Sequence, residues 1–182
     1  MKTVFIIHGT WGSPEENWFP WMKKKLEEKW YTVIIPRLPT PDNQSLDSWN
    51  QSFSEYMKYI NKETIFVAHS VGPAFVLSIL EQINVEIAGC YFAAGFLWNI
   101  NISSFDVLNN SFVNRDFNWE RIKSASKKFY MCHGSDDPYV PLSNAKRMSD
   151  NLWVEIDMIE WGWHLNSETW YTSFEYLLKK IK

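Results

Sequence analysis

The chain has few cysteines, little net charge and no long apolar run, and each shortage narrows what it can be. Its two cysteines, Cys90 and Cys132, lie inside apolar, strand-like stretches. Buried thiols in a reducing compartment are therefore expected, ahead of a disulfide or a reactive thiol. The formal net charge among 182 residues is only -3. That gives no basic footprint for nucleic acid and no polybasic patch for a membrane surface. No apolar span reaches the roughly 18 residues that a membrane helix needs, and the run near the N-terminus is too short for a secretory leader. The reading is a cytoplasmic protein. Histidines and carboxylates show neither His-x-His nor HExxH spacing, so no metal centre is expected. No repeat or linker composition interrupts the chain, which reads as one domain over residues 1–182.

What is present is apolar and aromatic. Hydrophobic residues make up 46% of the chain, enough for a globular core. Eleven Trp, twelve Phe and eight Tyr are many for this length; most must be core, and with so many large rings aromatic pocket walls are expected as well. Val4–Ile7, Thr32–Ile35, Ile65–Ala68, Ile87–Ala94 and Phe129–Cys132 read as buried strands, because they are apolar without alternation. Val154, Ile156 and Met158 alternate with Glu155 and Asp157, as a half-exposed edge strand would.

Helices are expected between these runs. One is capped by Asn17 and carries Pro20 in its first turn. A second opens at Ser45, with the stripe Leu46, Trp49, Phe53, Met57 and Ile60. Others run over 73–80 and from Ser143 to about Leu152, and a last one carries Trp170, Phe174, Leu177 and Ile181. Residues 95 to about 117, scattered with asparagine, read either as a short flap or as a loop with a helical turn. Alternating strands and helices imply a parallel sheet with helices on both faces. The expected strand order is 2-1-3-4-5-6, in which ligands bind where the chain reverses direction, between strands 1 and 3.

Two stretches meet at that point. Ala68-His69-Ser70-Val71-Gly72 joins a buried strand directly to a helix, with small residues two positions either side of the serine. This is the pattern of a nucleophile elbow, with alanine in place of the first glycine. His8-Gly9-Thr10 is a turn at the end of strand 1. A serine hydroxyl needs a base, and the base needs an orienting carboxylate. Of the four histidines, His8 and His133 end strands, and His69 is expected to point away from the serine. His164, in the loop after the last strand, is the expected base. Gly134-Ser135-Asp136-Asp137-Pro138-Tyr139-Val140-Pro141 fits G-x-x-D-x-x-V-P, which selects Asp137 as the acid and leaves Asp136 as a turn former. The backbone N–H groups of Val71 and Thr10 are the expected oxyanion donors. The chain order Ser, Asp, His is that of α/β-hydrolases.

With these stretches in place, the chain resembles a small serine hydrolase family of the α/β-hydrolases, the one that includes retinoblastoma-binding protein nine and the bacterial YdeN-like proteins. The resemblance rests on Ile7-His8-Gly9, Trp18-Phe19-Pro20-Trp21, Val67 to Gly72, Asp136-Asp137-Pro138 with Val140-Pro141, and Gly162-Trp163-His164. It implies a compact hydrolase without a large cap domain and a triad of Ser70, Asp137 and His164. Ala68 departs from a glycine that many relatives have. Trp163 stands where relatives often have glycine. The expected reaction is cleavage of a small carboxylic ester or related acyl bond through an acyl-enzyme, with no cofactor and a small-molecule acyl substrate as partner. Protein binding on a hydrolase fold is the alternative that the resemblance carries.

Overall fold

The structure, a computed structural model, describes residues 2–181. Six strands form one parallel sheet in the order β2-β1-β3-β4-β5-β6, as the alternation of strands and helices predicts. They are β1 Thr3–Ile7, β2 Thr32–Ile34, β3 Ile65–His69, β4 Gly89–Ala93, β5 Phe129–Gly134 and β6 Ile156–Ile159. Strands β1, β3 and β4 are buried along their whole length, which is why they read as unbroken apolar runs. β6 lies at the edge and is only half covered, as expected of an edge strand, but Met158 is exposed and Asp157 is held by Tyr130, Tyr176 and Lys180, so the expected in–out alternation is not kept.

Alternate strand residues feed two cores. Phe5, Ile7, Phe66, Ala68, Phe92 and Met131 face one side of the sheet. Helices α2 (Leu46–Phe53), α3 (Gly72–Gln82), α4 (Ser103–Val113), α5 (Trp119–Ser124) and α6 (Leu142–Leu152) supply the other half of that core. Val4, Ile6, Ile65, Val67, Tyr91 and Cys132 face the opposite side, with α1 (Phe19–Glu27) and α7 (Glu175–Lys180) over them. Each buried Leu, Ile, Val or Phe contributes about 1.5–3 kcal/mol relative to exposure, so both layers are needed to hold the sheet.

Local signals decide where several helices begin. Ser45 Oγ accepts the Ser48 N–H and Ser48 Oγ accepts the Ser45 N–H, both at 3.1 Å, a reciprocal capping box at the start of α2. After Phe53 the backbone tightens into a 3-10 turn over Ser54–Tyr59, so Met57 and Ile60 are only partly buried.

Three expectations need correction. Asn17 does not cap α1, which begins on Trp18 without a side-chain cap. Asn17 is turned into the left-handed region, and its Oδ1 accepts the Ser167 N–H at 2.9 Å across the fold. The last helix is shorter than its apolar spacing suggests. Phe174 precedes it, Ile181 follows it, and Trp170 lies outside it in solvent. Finally, residues 95–117 contain a three-turn helix, α4. Its Phe112 and Val113 pack into the core, and that burial overrides the weak helix propensity of its asparagines.

The backbone carries an unusual load of left-handed residues. Thirteen non-glycine residues have positive φ, and seven of them are tryptophans: Trp11, Trp30, Trp98, Trp153, Trp161, Trp163 and Trp170. No glycine among the described residues has positive φ. An L side chain in this region brings Cβ against the following carbonyl, at about 1–2 kcal/mol per residue. Seven such residues sum to on the order of 10 kcal/mol, the size of a whole folding margin. Trp153 shows the geometry. It ends α6 at φ 59° and ψ 43°, and Val154 N–H reaches back to Ser149 O at 3.1 Å, a helix closure that favours glycine. Against this stands Lys123 Nζ, 3.3 Å from the Trp153 ring centroid, an exposed cation–π contact worth about 0.5–1 kcal/mol. Trp153→Gly is therefore expected to stabilise the protein by roughly 1 kcal/mol, read as a higher urea midpoint at unchanged slope. A lower midpoint would mean that the ring contact outweighs the backbone term.

Candidate active site

β1 and β3 are neighbours in the sheet but lead to helices on opposite faces, so a crevice opens beyond their C-terminal ends. The cleft there has a volume of about 440 Å3, and Thr10, Ser70 and His164 lie on its floor with Phe105 and Tyr139 beside them. The turn after β3 is tight. Ser70 has φ 61° and donates its N–H to Ala93 O at 3.0 Å. Two glycines make this possible. A Cβ at Gly72 would lie 2.8 Å from the carbonyl oxygens of both Ile7 and His8, and one at Gly9 would lie 2.6 Å from Ser70 Cβ. Ala68, fully buried, shows that the other small position tolerates a methyl group.

The structure brings Ser70, His164 and Asp137 into one hydrogen-bonded chain. His164 Nδ1 lies 2.8 Å from Asp137 Oδ2, and His164 Nε2 lies 3.1 Å from Ser70 Oγ. A carboxylate can only accept, so Nδ1 carries the proton and Nε2 accepts the serine hydroxyl. Asp137 Oδ1 accepts the N–H groups of Tyr139 and Val140, both at 2.9 Å. Burial pushes the Asp137 carboxyl up, but the hydrogen bond and charge of His164 and the two backbone donors outweigh it and hold it below its ordinary value. Asp136 is placed differently: its Oδ1 accepts the Trp163 N–H at 2.8 Å and so fixes the loop that carries His164. Among the described residues, neither the Thr10 nor the Val71 N–H has a protein acceptor.

Some positioning residues were not legible in advance. His69, set aside as a base, positions the histidine that was chosen: its Nε2–H donates to His164 O at 2.8 Å, and its ring packs against Trp18 and Phe19. Trp18 donates its indole N–H to Leu165 O at 3.0 Å, so the buried ring anchors the same loop. The signal for Trp18 was present, since a buried indole requires an acceptor. Asn109, on α4, had none. It is buried and accepts hydrogen bonds from Thr10 Oγ1 and from Gln44 Nε2, which ties the loop after β1 to the helix above it. His8 and His133 are structural. His8 Nδ1 donates to Gly9 O at 2.8 Å and its Nε2 accepts the Leu38 N–H at 3.1 Å. His133 Nε2 donates to Val140 O at 3.1 Å.

A serine on a strand–helix turn at the switch point of a parallel sheet, bonded to a histidine and that to an aspartate, defines the architecture of an α/β-hydrolase. The chain belongs to the serine hydrolase family, whose sequence profile matches residues 4–182, and its class of activity is hydrolysis. It is 28% identical over 174 residues to YdeN of Bacillus subtilis, covering 94% of this chain and 90% of that protein. The crystal structure of the B. subtilis ydeN gene product superposes with a TM-score of 0.92 at 26% identity, over 99% of this chain and 96% of that one. Serine hydrolase RBBP9 of Rattus norvegicus is 21% identical over 180 residues, covering 97% of this chain and 92% of its own. Among the described residues no helix is long and apolar enough to cross a membrane.

The histidines under the site set a pH dependence. Burial, reinforced by the neighbouring His164, lowers His69 from 6.5 to about 3. Burial also lowers His8 and His133. A group with a depressed folded value is protonated first in the unfolded chain, so acid favours unfolding. For His69 this contribution is complete above 6.5 and is lost as the pH falls from 6.5 toward about 3. The urea midpoint is expected to decline already between about pH 6.5 and 5, above the range where carboxylates titrate. A flat midpoint across that interval would mean that these rings are not buried as neutral groups.

Proposed function

We propose that the protein cleaves small carboxylic esters or closely related acyl bonds through a serine acyl-enzyme. The observation that carries this is the 3.1 Å contact of Ser70 Oγ with His164 Nε2, in line with the 2.8 Å contact of His164 Nδ1 with Asp137. Ser70 Oγ attacks the acyl carbonyl while His164 takes its proton. Asp137 holds the imidazole in that tautomer and stabilises the imidazolium. The N–H groups of Val71 and Thr10 meet the developing oxyanion, and a donor in that role is worth about 3 kcal/mol. Val71 precedes α3, so the helix dipole adds to its N–H. Collapse expels the alcohol, protonated by His164. Water, activated by the same histidine, then releases the acid.

The reaction so written needs no metal and no organic cofactor. Its partner is a small acyl substrate, and a cleft of about 440 Å3 lined by Phe105 and Tyr139 suits a short acyl chain. A cytoplasmic location fits the two cysteines. They are free and buried, and they enter opposite cores. Burial pushes the Cys90 thiol up to about 12 and raises that of Cys132.

Labelling with a fluorophosphonate probe, followed by peptide mapping, is the direct test. Rapid modification at Ser70 is expected, together with loss of all turnover in a folded Ser70→Ala protein and faster cleavage of acetyl and butyryl esters than of long-chain ones. Folded protein that the probe leaves unlabelled would sink the reading and favour a binding module on a hydrolase fold. The two aspartates separate independently. Asp137→Asn is expected to lower kcat by about 10⁴-fold, as in related triads, and Asp136→Asn by far less. Equal losses would remove Asp137 from the proposed role.

A further inference from the structure

The chain's eleven tryptophans fall into two groups that share no property of environment. Trp18 and Trp49 are fully buried, and Trp21 and Trp119 are partly buried against the two cores. None of these four has a positive φ. The other seven, at positions 11, 30, 98, 153, 161, 163 and 170, all have φ between 47° and 74°. The same seven are the exposed tryptophans, from 43% at Trp163 to 92% at Trp30. Neither membership overlaps the other, so the division is complete.

Each of the turns that can be followed puts its tryptophan where backbone chemistry calls for glycine. Trp30 and Trp153 close α1 and α6. Behind Trp30, Tyr31 N–H returns to Leu26 O at 3.2 Å, and behind Trp153, Val154 N–H returns to Ser149 O at 3.1 Å. Left-handed glycine is the usual residue at such closures. Trp170 closes the turn Ser167–Thr169 in the same way at φ 69° and ψ 9°. Trp11 is third in the turn that Gly12 N–H closes onto Gly9 O, and Trp161 is third in the turn that Gly162 N–H closes onto Ile159 O. A positive φ at the third position is the mark of a turn built for glycine. Trp163 is second in the turn that Leu165 N–H closes onto Gly162 O, the glycine position of a primed turn. Meanwhile the chain holds only 7 glycines in 182 residues, and none of them has a positive φ. Asparagine, the other residue that tolerates this region, appears there as expected at Asn17, Asn43 and Asn101.

Tryptophan and glycine are connected by one codon. UGG encodes tryptophan, whereas UGA, a stop signal in the standard code, is read as tryptophan in one variant code and as glycine in another. We propose that the polypeptide the cell makes carries glycine at positions 11, 30, 98, 153, 161, 163 and 170, inserted at UGA codons by a glycine tRNA. Tryptophan, encoded by UGG, remains at 18, 21, 49 and 119. The consequence reaches the site. Position 11 lines the cleft, where its indole packs at a tilt against Phe105, 4.5 Å between centroids, and position 163 precedes His164. With glycine at both, Phe105 and Tyr139 are the aromatic walls that remain, the mouth is wider on the side of the β1 loop, and the exposed indoles beside the histidine loop are gone. The assignment rests on backbone geometry alone and holds whether or not Ser70 is a nucleophile.

The test is peptide mass spectrometry of the protein purified from the cells that make it, with the gene's codons read alongside. The expected result is glycine in every peptide covering the seven positions, each lighter by an indolylmethyl group exchanged for hydrogen. The codons are expected to divide as UGA at those seven and UGG at the other four. Tryptophan in the seven peptides, UGG at their codons, or UGA scattered over both groups overturns the proposal. A recombinant pair gives a second readout. The chain with glycine at all seven positions is expected to unfold at a higher temperature, and to remain more soluble, than the chain with eleven tryptophans. A more stable eleven-tryptophan chain would defeat the backbone argument.

Discussion

At the switch point the end of β1 passes the turn after β3 with no room for a side chain between them. Gly72 faces the carbonyls of Ile7 and His8, and Gly9 faces the Cβ of Ser70. This close approach fixes much else. It accompanies the left-handed conformation of Ser70 at φ 61° and sets the loop after β1 directly against the serine that ends β3. It also explains why β1 and β3 must be buried on both faces, since only a sheet clamped between two cores holds two backbones so near each other.

The third participant reaches this point from the far edge of the sheet, 94 residues along the chain from Ser70. A loop of that kind would be mobile unless tied down. Here it is held by hydrogen bonds from distinct elements: Trp18 to Leu165 O, His69 to His164 O, Asp136 to Trp163 N–H, and Asn17 to Ser167 N–H. All four bonds end on backbone groups of the loop and leave the His164 ring to Asp137 and Ser70. Together they order the loop in advance, so holding the His164 ring beside Ser70 costs little further entropy.

The parts that could be read from the sequence are those dictated by local backbone chemistry. Ser70 was legible because a strand, a tight turn and a helix impose small residues at 68 and 72. Asp137 and His164 were legible because each follows a strand at the carboxyl edge of the sheet. The parallel sheet followed from the alternation of strands and helices, and the burial of β1, β3 and β4 from their unbroken apolar runs. What was not legible depends on distant partners. α4 hides behind asparagines whose reason lies elsewhere, as with Asn109, which meets Thr10 across 99 residues. Asn17 has the composition of a helix cap, but its acceptor is used 150 residues away. Trp170 fits an apolar helical spacing, yet the chain turns left-handed there and the helix starts later.

The contact of Asn109 with Thr10 and Gln44 has a consequence for how such a protein can diversify. The segment between β4 and β5 contributes Phe105 to the lining of the cleft, and an insertion there would be the simplest way to reshape what enters. In this chain the segment is also a structural partner of the loop after β1, because its helix holds Thr10 through a buried amide. The two segments are therefore coupled. A new segment grafted from elsewhere would have to bring its own acceptor for the Thr10 hydroxyl, or the loop after β1 would shift as well.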